Sequence, residues 1–102
     1  MSSKYYLGLA QGTAGTTAIL YDHAWNEISI GYCETPTFYP RPGWVEHDPE
    51  KIWDSVLSAT KSALDNIGAN ASVIRCIGLS HEGESVVVWN KKTGVPLYNV
   101  IV

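Results

Sequence analysis

The sequence predicts an α/β fold in which three strands, one helix and a fourth strand follow one another, with a β-hairpin after them. Three observations predict this order. Short apolar runs separated by tight turns fill residues 5–32, one helical pattern with capping signals follows, and apolar runs resume at residue 73. A chain of 102 residues is long enough for one domain and too short for two.

The first three apolar runs indicate neighbouring strands of an antiparallel meander. Residues 5–10 form an apolar run that ends in a turn, which is typical of a buried strand, and residues 17–21 form a second such run. Residues 27–32 alternate polar and apolar side chains, as expected of a half-buried strand. The short turns between these runs favour antiparallel pairing.

A proline-rich segment and a helix follow. Residues 36–49 carry four of the five prolines, which excludes a helix or a central strand and predicts a long ordered loop. Asp48 is a good N-cap, Pro49 suits the first helical position, and Gly68 is a plausible left-handed stop, so we expect a helix from about 49 to 67. Helical spacing predicts that its buried face consists of Ile52, Trp53, Val56, Leu57, Thr60, Ala63, Leu64 and Ile67.

The last third of the sequence predicts more β-structure. Residues 73–80 indicate another buried strand, and residues 85–89 indicate the next. Residues 90–94 are a strong turn signal, which predicts a hairpin with residues 95–102 as its return strand. The chain stops inside an apolar run, and we expect it to be the front portion of something longer.

Composition excludes several classes of function. The net charge is −3 and the seven Lys and Arg residues are scattered, which argues against nucleic-acid binding. No apolar stretch approaches a membrane span, and residues 1–5 show no signal-peptide pattern, so we expect a cytoplasmic protein. The two cysteines are too few for a disulfide framework or a metal knuckle. His23 and His47 lie in loops without spaced partners, and we expect both on the surface.

The turn after the first strand is the first candidate site. It is rich in glycine and threonine, so backbone N–H groups and hydroxyls can converge on one point, which suits phosphate oxygens. It is no Walker loop, because the Gly-x-x-x-x-Gly-Lys pattern is absent and a strand follows. On residue types alone, an ordinary turn of small residues is the favoured interpretation. The turn consists of Gln11, Gly12, Thr13, Ala14, Gly15, Thr16 and Thr17.

The turn after the strand at 73–80 is the second candidate site. Residues 80–85 read Ser-His-Glu-Gly-Glu-Ser, and ligands of α/β sheets bind at loops beyond strand ends. Two carboxylates and an imidazole there can accept hydrogen bonds from the hydroxyls of a polyol. A solvated polar turn is the alternative.

Several runs of the sequence closely resemble the FGGY family of carbohydrate kinases. The most specific run is Pro-Gly-Trp-Val-Glu-His-Asp-Pro at 42–49, and the likeness extends in order over essentially the whole chain. Members of this family fold as two ribonuclease-H-like domains, related to actin and hexokinase, and ATP and substrate meet between them. The resembling runs are residues 9–13, 22–23, 39–49, 52–53, 77–80, 84–89 and 93–99.

The resemblance implies an activity for a longer parent protein. Family members transfer the γ-phosphoryl group of ATP, with Mg²⁺, to a hydroxyl of a sugar or polyol. This chain would be roughly the first fifth of such an enzyme, the incomplete opening part of its first domain. The family's catalytic base lies downstream, so the resemblance places no catalytic residue in this chain and implies that it is inactive alone. Family members often form dimers or tetramers, so a homo-oligomer is consistent with the resemblance.

The resemblance also implies roles for single residues. Residues 11–17 match the hairpin that faces the nucleotide phosphates, and Glu84 matches an acidic residue that holds substrate hydroxyls. Ala10 stands where the family has an aspartate associated with the metal, and a methyl group cannot hold Mg²⁺. The segment matched to substrate binding is His81, Glu82, Gly83 and Glu84, where Gly83 replaces an arginine of some members and the first two replace an Asn-Gln pair.

A non-catalytic interpretation competes with the enzyme. Ala10 and the early stop also fit a truncated kinase that survives as a binding or self-association module, because half a domain leaves sheet edges and apolar faces uncovered. A generic α/β domain whose turns bind nothing is the third interpretation.

Overall fold

A computed structural model describes residues 4–102. Residues 1–3, which belong to the segment without a signal-peptide pattern, lie outside the described residues. A short 3-10 turn, Ala71–Val73, precedes the fifth strand. The elements in chain order are β1 (Tyr5–Gln11), β2 (Gly15–Tyr21), β3 (Glu27–Glu34), β4 (Glu46–His47), α1 (Pro49–Asp65), β5 (Ile74–Ser80) and β6 (Val100–Ile101).

The main sheet has four strands in the order β3-β2-β1-β5. β1 pairs antiparallel with β2, and β2 with β3, so the predicted meander is confirmed. β5 runs parallel to β1, with Leu7 opposite Ile77 and Ala10 opposite Ser80. The helix supplies the crossover that parallel neighbours require. The carboxyl ends of β1 and β5 therefore lie side by side at one edge of the sheet.

Helix α1 begins as predicted and ends two residues early. The Asp48 carboxylate accepts the backbone N–H of Glu50 at 2.9 Å, which caps the helix, and Pro49 occupies the first turn. Gly68 follows with a φ of 62°, a left-handed conformation that glycine adopts without cost.

The buried face of α1 differs from the predicted one. The fully buried helix residues are Ser55, Ala59, Ala63 and Leu64, whereas Trp53 and Leu57 are 56% and 50% exposed. The helix packs over β2 and β3 at very close range: a Cβ added to Gly31 would lie 2.6 Å from the backbone nitrogen of Ala63. Only small side chains fit that contact. Ala63 and Leu64 are buried as predicted, and Val56 and Ile67 pack against the core. The prediction was wrong for Trp53 and Leu57 and missed Ser55 and Ala59.

The predicted burial of the strand at residues 73–80 is wrong. Ile77 and Leu79 of β5 are 60% and 64% exposed. It is an edge strand of the described sheet, and α1 covers β2 and β3 instead. The apolar run correctly predicted a strand, but it did not predict whether another element buries that strand.

The predicted terminal hairpin is confirmed only close to its turn. The amide of Gly94 donates to the carbonyl of Asn90 at 2.8 Å. Two backbone bonds, from Asn90 to the Val95 carbonyl and from Leu97 to the Val88 carbonyl, both 2.9 Å, flank a single bridge between Trp89 and Pro96. Residues 95–102 are therefore not one return strand. Instead β6 pairs antiparallel with β4, a two-residue strand inside the predicted loop.

The hydrophobic core is small and lies between the sheet and α1. Its fully buried side chains are short or medium in size, which matches the close helix–sheet contact. No helix within residues 4–102 combines the length and apolar character needed to cross a bilayer. The core residues are Leu7, Leu9, Ala18, Leu20, Ala59, Ala63 and Leu64.

The close contact makes a testable prediction. Gly31→Ala places a methyl group against the backbone of α1 and should lower the free energy of unfolding by about 1–3 kcal/mol. Gly78→Ala on β5 is the matched control, because nothing lies within 4 Å of its added Cβ, and it should change stability by less than about 0.5 kcal/mol. Urea unfolding of both variants checks this. Equal losses would contradict the contact.

Candidate functional site

A cavity of about 520 Å³ opens where β1 and β5 end. Two loops line it: the first hairpin (residues 11–17), which joins β1 to β2, and the β5 turn (residues 81–84). The parallel pairing of the two strands is what brings these loops together, and the end of parallel strands is where α/β sheets bind ligands. The lining residues are Ala10, Gln11, Gly12, Thr13, Ala14, Gly15, Thr17, Tyr32, Ser80, His81 and Glu82.

The first hairpin is closed by its own backbone. The Gly12 amide donates to the Gly15 carbonyl at 2.9 Å, and the Thr35 amide donates to the Ala14 carbonyl at 3.0 Å. The tip residues Thr13 and Ala14 are exposed and line the cavity. Neither amide has a hydrogen-bond acceptor among the described residues, so both remain available as donors, as a small-residue anion cradle requires.

The three threonines of the hairpin have different surroundings. Thr13 and Thr17 line the cavity. Thr16 is fully buried, and its hydroxyl lies 2.8 Å from the Ser55 hydroxyl of α1, which in turn accepts from Thr35 at 3.2 Å. Of the hydroxyls predicted to meet phosphate, that of Thr16 therefore faces the helix, where it fixes the hairpin to α1.

Gly15 is required for the hairpin to pack against β3. A Cβ at this position would lie 2.6 Å from the Tyr32 hydroxyl and 2.9 Å from the Cα of Glu34. Real Cβ atoms do not approach other atoms so closely, so any side chain here would push β2 away from β3. Tyr32 itself lines the cavity, so the same contact shapes the wall.

The residues of the β5 turn line two different surfaces. His81 and Glu82 line the cavity with the hairpin. Glu84 instead lines a separate groove of about 350 Å³, together with Val88 and Tyr98. Gly83 lines neither of these two. The structure therefore brings half of the four predicted substrate residues beside the first hairpin, and leaves Glu84 facing the chain's last segment.

Among the described residues, Glu82 is the one carboxylate that lines the cavity, and neighbouring side chains fix its position. Its side chain is only 9% exposed, and its Oε2 accepts from the Ser85 hydroxyl at 2.7 Å. Its Oε1 faces Nδ1 of His47 at 3.6 Å. His47 is fully buried, so its predicted surface position is wrong: strand β4 turns its side chain inward, and the proline-rich sequence carried no signal for that strand.

The neighbour of His47 anchors the end of the chain. Glu46 is buried and its carboxylate accepts from the Tyr98 hydroxyl at 2.8 Å and from the Asn99 side-chain amide at 3.1 Å. The hydrogen bond to Glu46, burial and the charge of that carboxylate all favour the neutral phenol and raise the pKa of Tyr98 above its ordinary value. These contacts explain why β6 pairs with β4 rather than with residues 85–89.

The cavity does not suit a magnesium ion. Mg²⁺ prefers carboxylate oxygens, and no group of three or more His, Cys, Asp or Glu side chains that could hold a metal occurs within residues 4–102. Ala10 offers a methyl group at the end of β1, and the nearly buried Glu82 already accepts from Ser85 through its Oε2. The described residues can thus supply N–H and hydroxyl donors to an anion but no metal ligand set.

An α/β sheet of this order, with a small-residue hairpin at the end of its first strand, defines a domain of the ribonuclease-H-like class, as predicted. Residues 5–102 match the N-terminal domain of the FGGY family of carbohydrate kinases. The chain belongs to this family.

Known proteins with similar sequences are glycerol kinases. The glycerol kinase of Pediococcus pentosaceus is 41% identical over 102 residues, and glycerol kinase 1 of Saccharolobus solfataricus is 45% identical over 102 residues. Each comparison covers all of this chain and 20% of the relative. The chain therefore spans about a fifth of the length of the curated relatives it matches.

Solved structures agree with the sequence comparison. A xyloylose kinase from Brucella ovis superposes with a TM-score of 0.87 at 30% identity, covering 96% of this chain and 20% of that one. A Plasmodium falciparum glycerol kinase with ADP gives 0.87 at 29% identity, covering 98% and 20%. The fold class and family membership predicted from the sequence are confirmed.

The fit of Gly15 against β3 can be tested with its neighbour in the same hairpin. Gly15→Ala should lower the free energy of unfolding by about 1–3 kcal/mol, because the methyl group meets fixed backbone. Gly12→Ala should stay within about 0.5 kcal/mol, since its Cβ would lie an ordinary 3.6 Å from the nearest atom. Thermal unfolding of the two variants compares them, and a larger loss for Gly12→Ala would be incompatible with this geometry.

Proposed function

We propose that this chain is the opening part of the first domain of an ATP-dependent kinase that transfers the γ-phosphoryl group to a hydroxyl of a sugar or polyol such as glycerol. The observation that carries the proposal is the shared cavity: a hairpin able to cradle phosphate lines one opening together with His81 and Glu82, the first residues of the polar β5 turn. Family membership and the similarity to glycerol kinases support it.

The first hairpin would hold nucleotide phosphates. The exposed N–H groups at Thr13 and Ala14 and the Thr17 hydroxyl supply donors, and Thr16 supplies rigidity through its buried bond to Ser55. Donors fixed in advance lose little freedom when they bind, so they stabilise transferred charge effectively. This part of the proposal needs only backbone and hydroxyl groups already in position.

The β5 turn would contact the substrate. An ionised carboxylate accepts hydrogen bonds from alcohols, each contributing about 1.5–3 kcal/mol when charge-assisted. Glu84, in the separate groove beside Tyr98, is the exposed acceptor of the turn. Such contacts discriminate against analogues that lack the hydroxyl.

Other parts of the reaction would depend on groups outside the described cavity. Transfer to a hydroxyl requires a base to take its proton and compensation of phosphate charge, and Mg²⁺ bound with ATP supplies the latter. Among the described residues, the one carboxylate in the cavity lining is Glu82, whose side chain is only 9% exposed and already accepts from Ser85. The 102-residue chain alone should therefore release no ADP. A cytoplasmic setting is consistent with Cys33 and Cys76 both being free thiols.

A matched pair of threonine variants tests the phosphate site. Thr17→Val removes a cavity hydroxyl and should weaken ATP binding about ten-fold or more while leaving stability unchanged. Thr16→Val should do the reverse, lowering stability by about 1–3 kcal/mol because the buried group of hydroxyls around Ser55 loses one of its members. Titration of the ¹⁵N-labelled chain with ATP and with tripolyphosphate, followed by NMR, measures the affinity, and urea unfolding measures the stability.

The outcome of that titration decides the proposal. Shifts confined to residues 11–17 and 80–82, with the expected difference between the two variants, support a phosphate site. Absence of shifts in the hairpin at millimolar ligand, or equal losses of affinity in both variants, would exclude it.

A self-association module is the second candidate function. It is favoured by the outer edge of β5, which pairs only with β1 within residues 4–102 and carries the exposed Ile77 and Leu79. Unpaired strand edges and exposed apolar side chains promote association. Sedimentation at micromolar concentration distinguishes the candidates: a clean monomer counts against association.

A further inference from the structure

A buried polar contact joins strand β4 to the β5 turn. His47 is fully buried, the Glu82 side chain is 9% exposed, and the His47 Nδ1 and Glu82 Oε1 atoms lie 3.6 Å apart. Neither of these two atoms has a hydrogen-bond partner anywhere in the described part of the chain. Buried polar atoms are almost always bonded, so two such atoms that face each other point to a shared hydrogen bond.

The other polar atom of each side chain is already engaged. His47 Nε2 lies 3.3 Å from the Thr37 hydroxyl, and Glu82 Oε2 accepts from the Ser85 hydroxyl at 2.7 Å. These contacts orient both groups, so that an approach of about half an ångström closes an N–H···O bond of ordinary length. The imidazole Nδ1 is then the donor and the carboxylate Oε1 the acceptor.

This contact is the polar link between the β5 turn and the remainder of the fold. The other side-chain hydrogen bonds of residues 81–85 stay within the turn: His81 with the Glu82 carbonyl, and Ser85 with the Glu82 carboxylate. β4, in contrast, is fixed at both ends, by its pairing with β6 and by the adjoining cap of α1 at Asp48. His47 therefore reaches from a fixed element to a turn that has no other polar attachment among the described residues.

We propose that His47 is a positioning residue for the β5 turn. By donating from Nδ1 to Glu82 it holds the turn against the first hairpin, and so sets where His81 and Glu84 present themselves to a ligand. A role of His47 in catalysis rests on the proposed function, because that function assigns substrate contact to the turn. The immobilisation of the turn by His47 can be measured without any ligand.

Two amide substitutions separate the two nitrogens of the ring. In His47→Asn the amide nitrogen occupies the place of Nδ1 and can still donate to Glu82, while the contact with Thr37 is lost. In His47→Gln the amide nitrogen occupies the place of Nε2, so that the contact with Thr37 survives and the contact with Glu82 is lost. Both variants change the same buried position by a similar volume, which makes each a control for the other.

Backbone order parameters from ¹⁵N relaxation of the 102-residue chain give the readout. In the unchanged chain and in His47→Asn, Gly83 and Glu84 should show values in the rigid range, roughly 0.85. In His47→Gln they should fall below about 0.6, while Ala59 and Ala63 in α1 keep their values. A loss of stability alone would not produce this local change in the folded chain.

Substitutions of Glu82 give a second test in case the His47 variants do not fold. Glu82→Ala, in the turn itself, should loosen Gly83 and Glu84 as His47→Gln does, and Glu82→Gln, which keeps an acceptor oxygen, should not. The proposal is overturned if the turn stays rigid in Glu82→Ala, or if His47→Asn and His47→Gln loosen it equally. A chain that shows the predicted order parameters but no ATP shifts in the hairpin would instead reject the proposed function alone.

Discussion

The parallel pairing of β1 with β5 is the constraint on which the site depends. Because Ala10 lies opposite Ser80, the first hairpin and the β5 turn leave the sheet at the same height and in the same direction. Neither loop alone encloses a volume. The polypeptide reaches this arrangement through α1, which must cross the sheet closely enough for β5 to return beside β1.

That crossing is made possible by small residues and buried hydroxyls. Gly31 admits the backbone of α1 to the surface of β3, and Ala59 and Ala63 present no bulk against it. The same helix carries Ser55, whose hydroxyl bonds the Thr16 hydroxyl and so attaches the first hairpin to α1. The packing of the domain and the rigidity of its anion cradle thus have one physical origin.

Local signals in the sequence were sufficient for elements whose structure is decided locally. The three-strand meander, the Asp48 cap and the left-handed Gly68 follow from alternation, capping chemistry and the freedom of glycine, and all three are confirmed. The family and fold class also followed, because a run such as 42–49 is specific. The sequence placed both candidate loops at strand ends, but that they meet was not predicted, because it depends on the parallel pairing of β1 with β5.

Features set by distant contacts were missed. The burial of Ala59 in α1 is decided by its close contact with Gly31 on β3 and not by apolar spacing. Strand β4 is held by the bonds of Glu46 with Tyr98 and Asn99, more than 50 residues away. The burial of His47 depends on that strand and on Glu82. No periodicity within the loop could show this, since each partner lies in a different part of the chain.

A crystal structure of the chain with a non-hydrolysable ATP analogue would show directly whether the first hairpin binds phosphate. We expect phosphate oxygens within about 3.2 Å of the Thr13 or Ala14 amides and of the Thr17 hydroxyl, with the adjoining wall formed by the β5 turn. Nucleotide bound with its phosphates away from the ends of β1 and β5, or a hairpin that points out of the cavity, would contradict it.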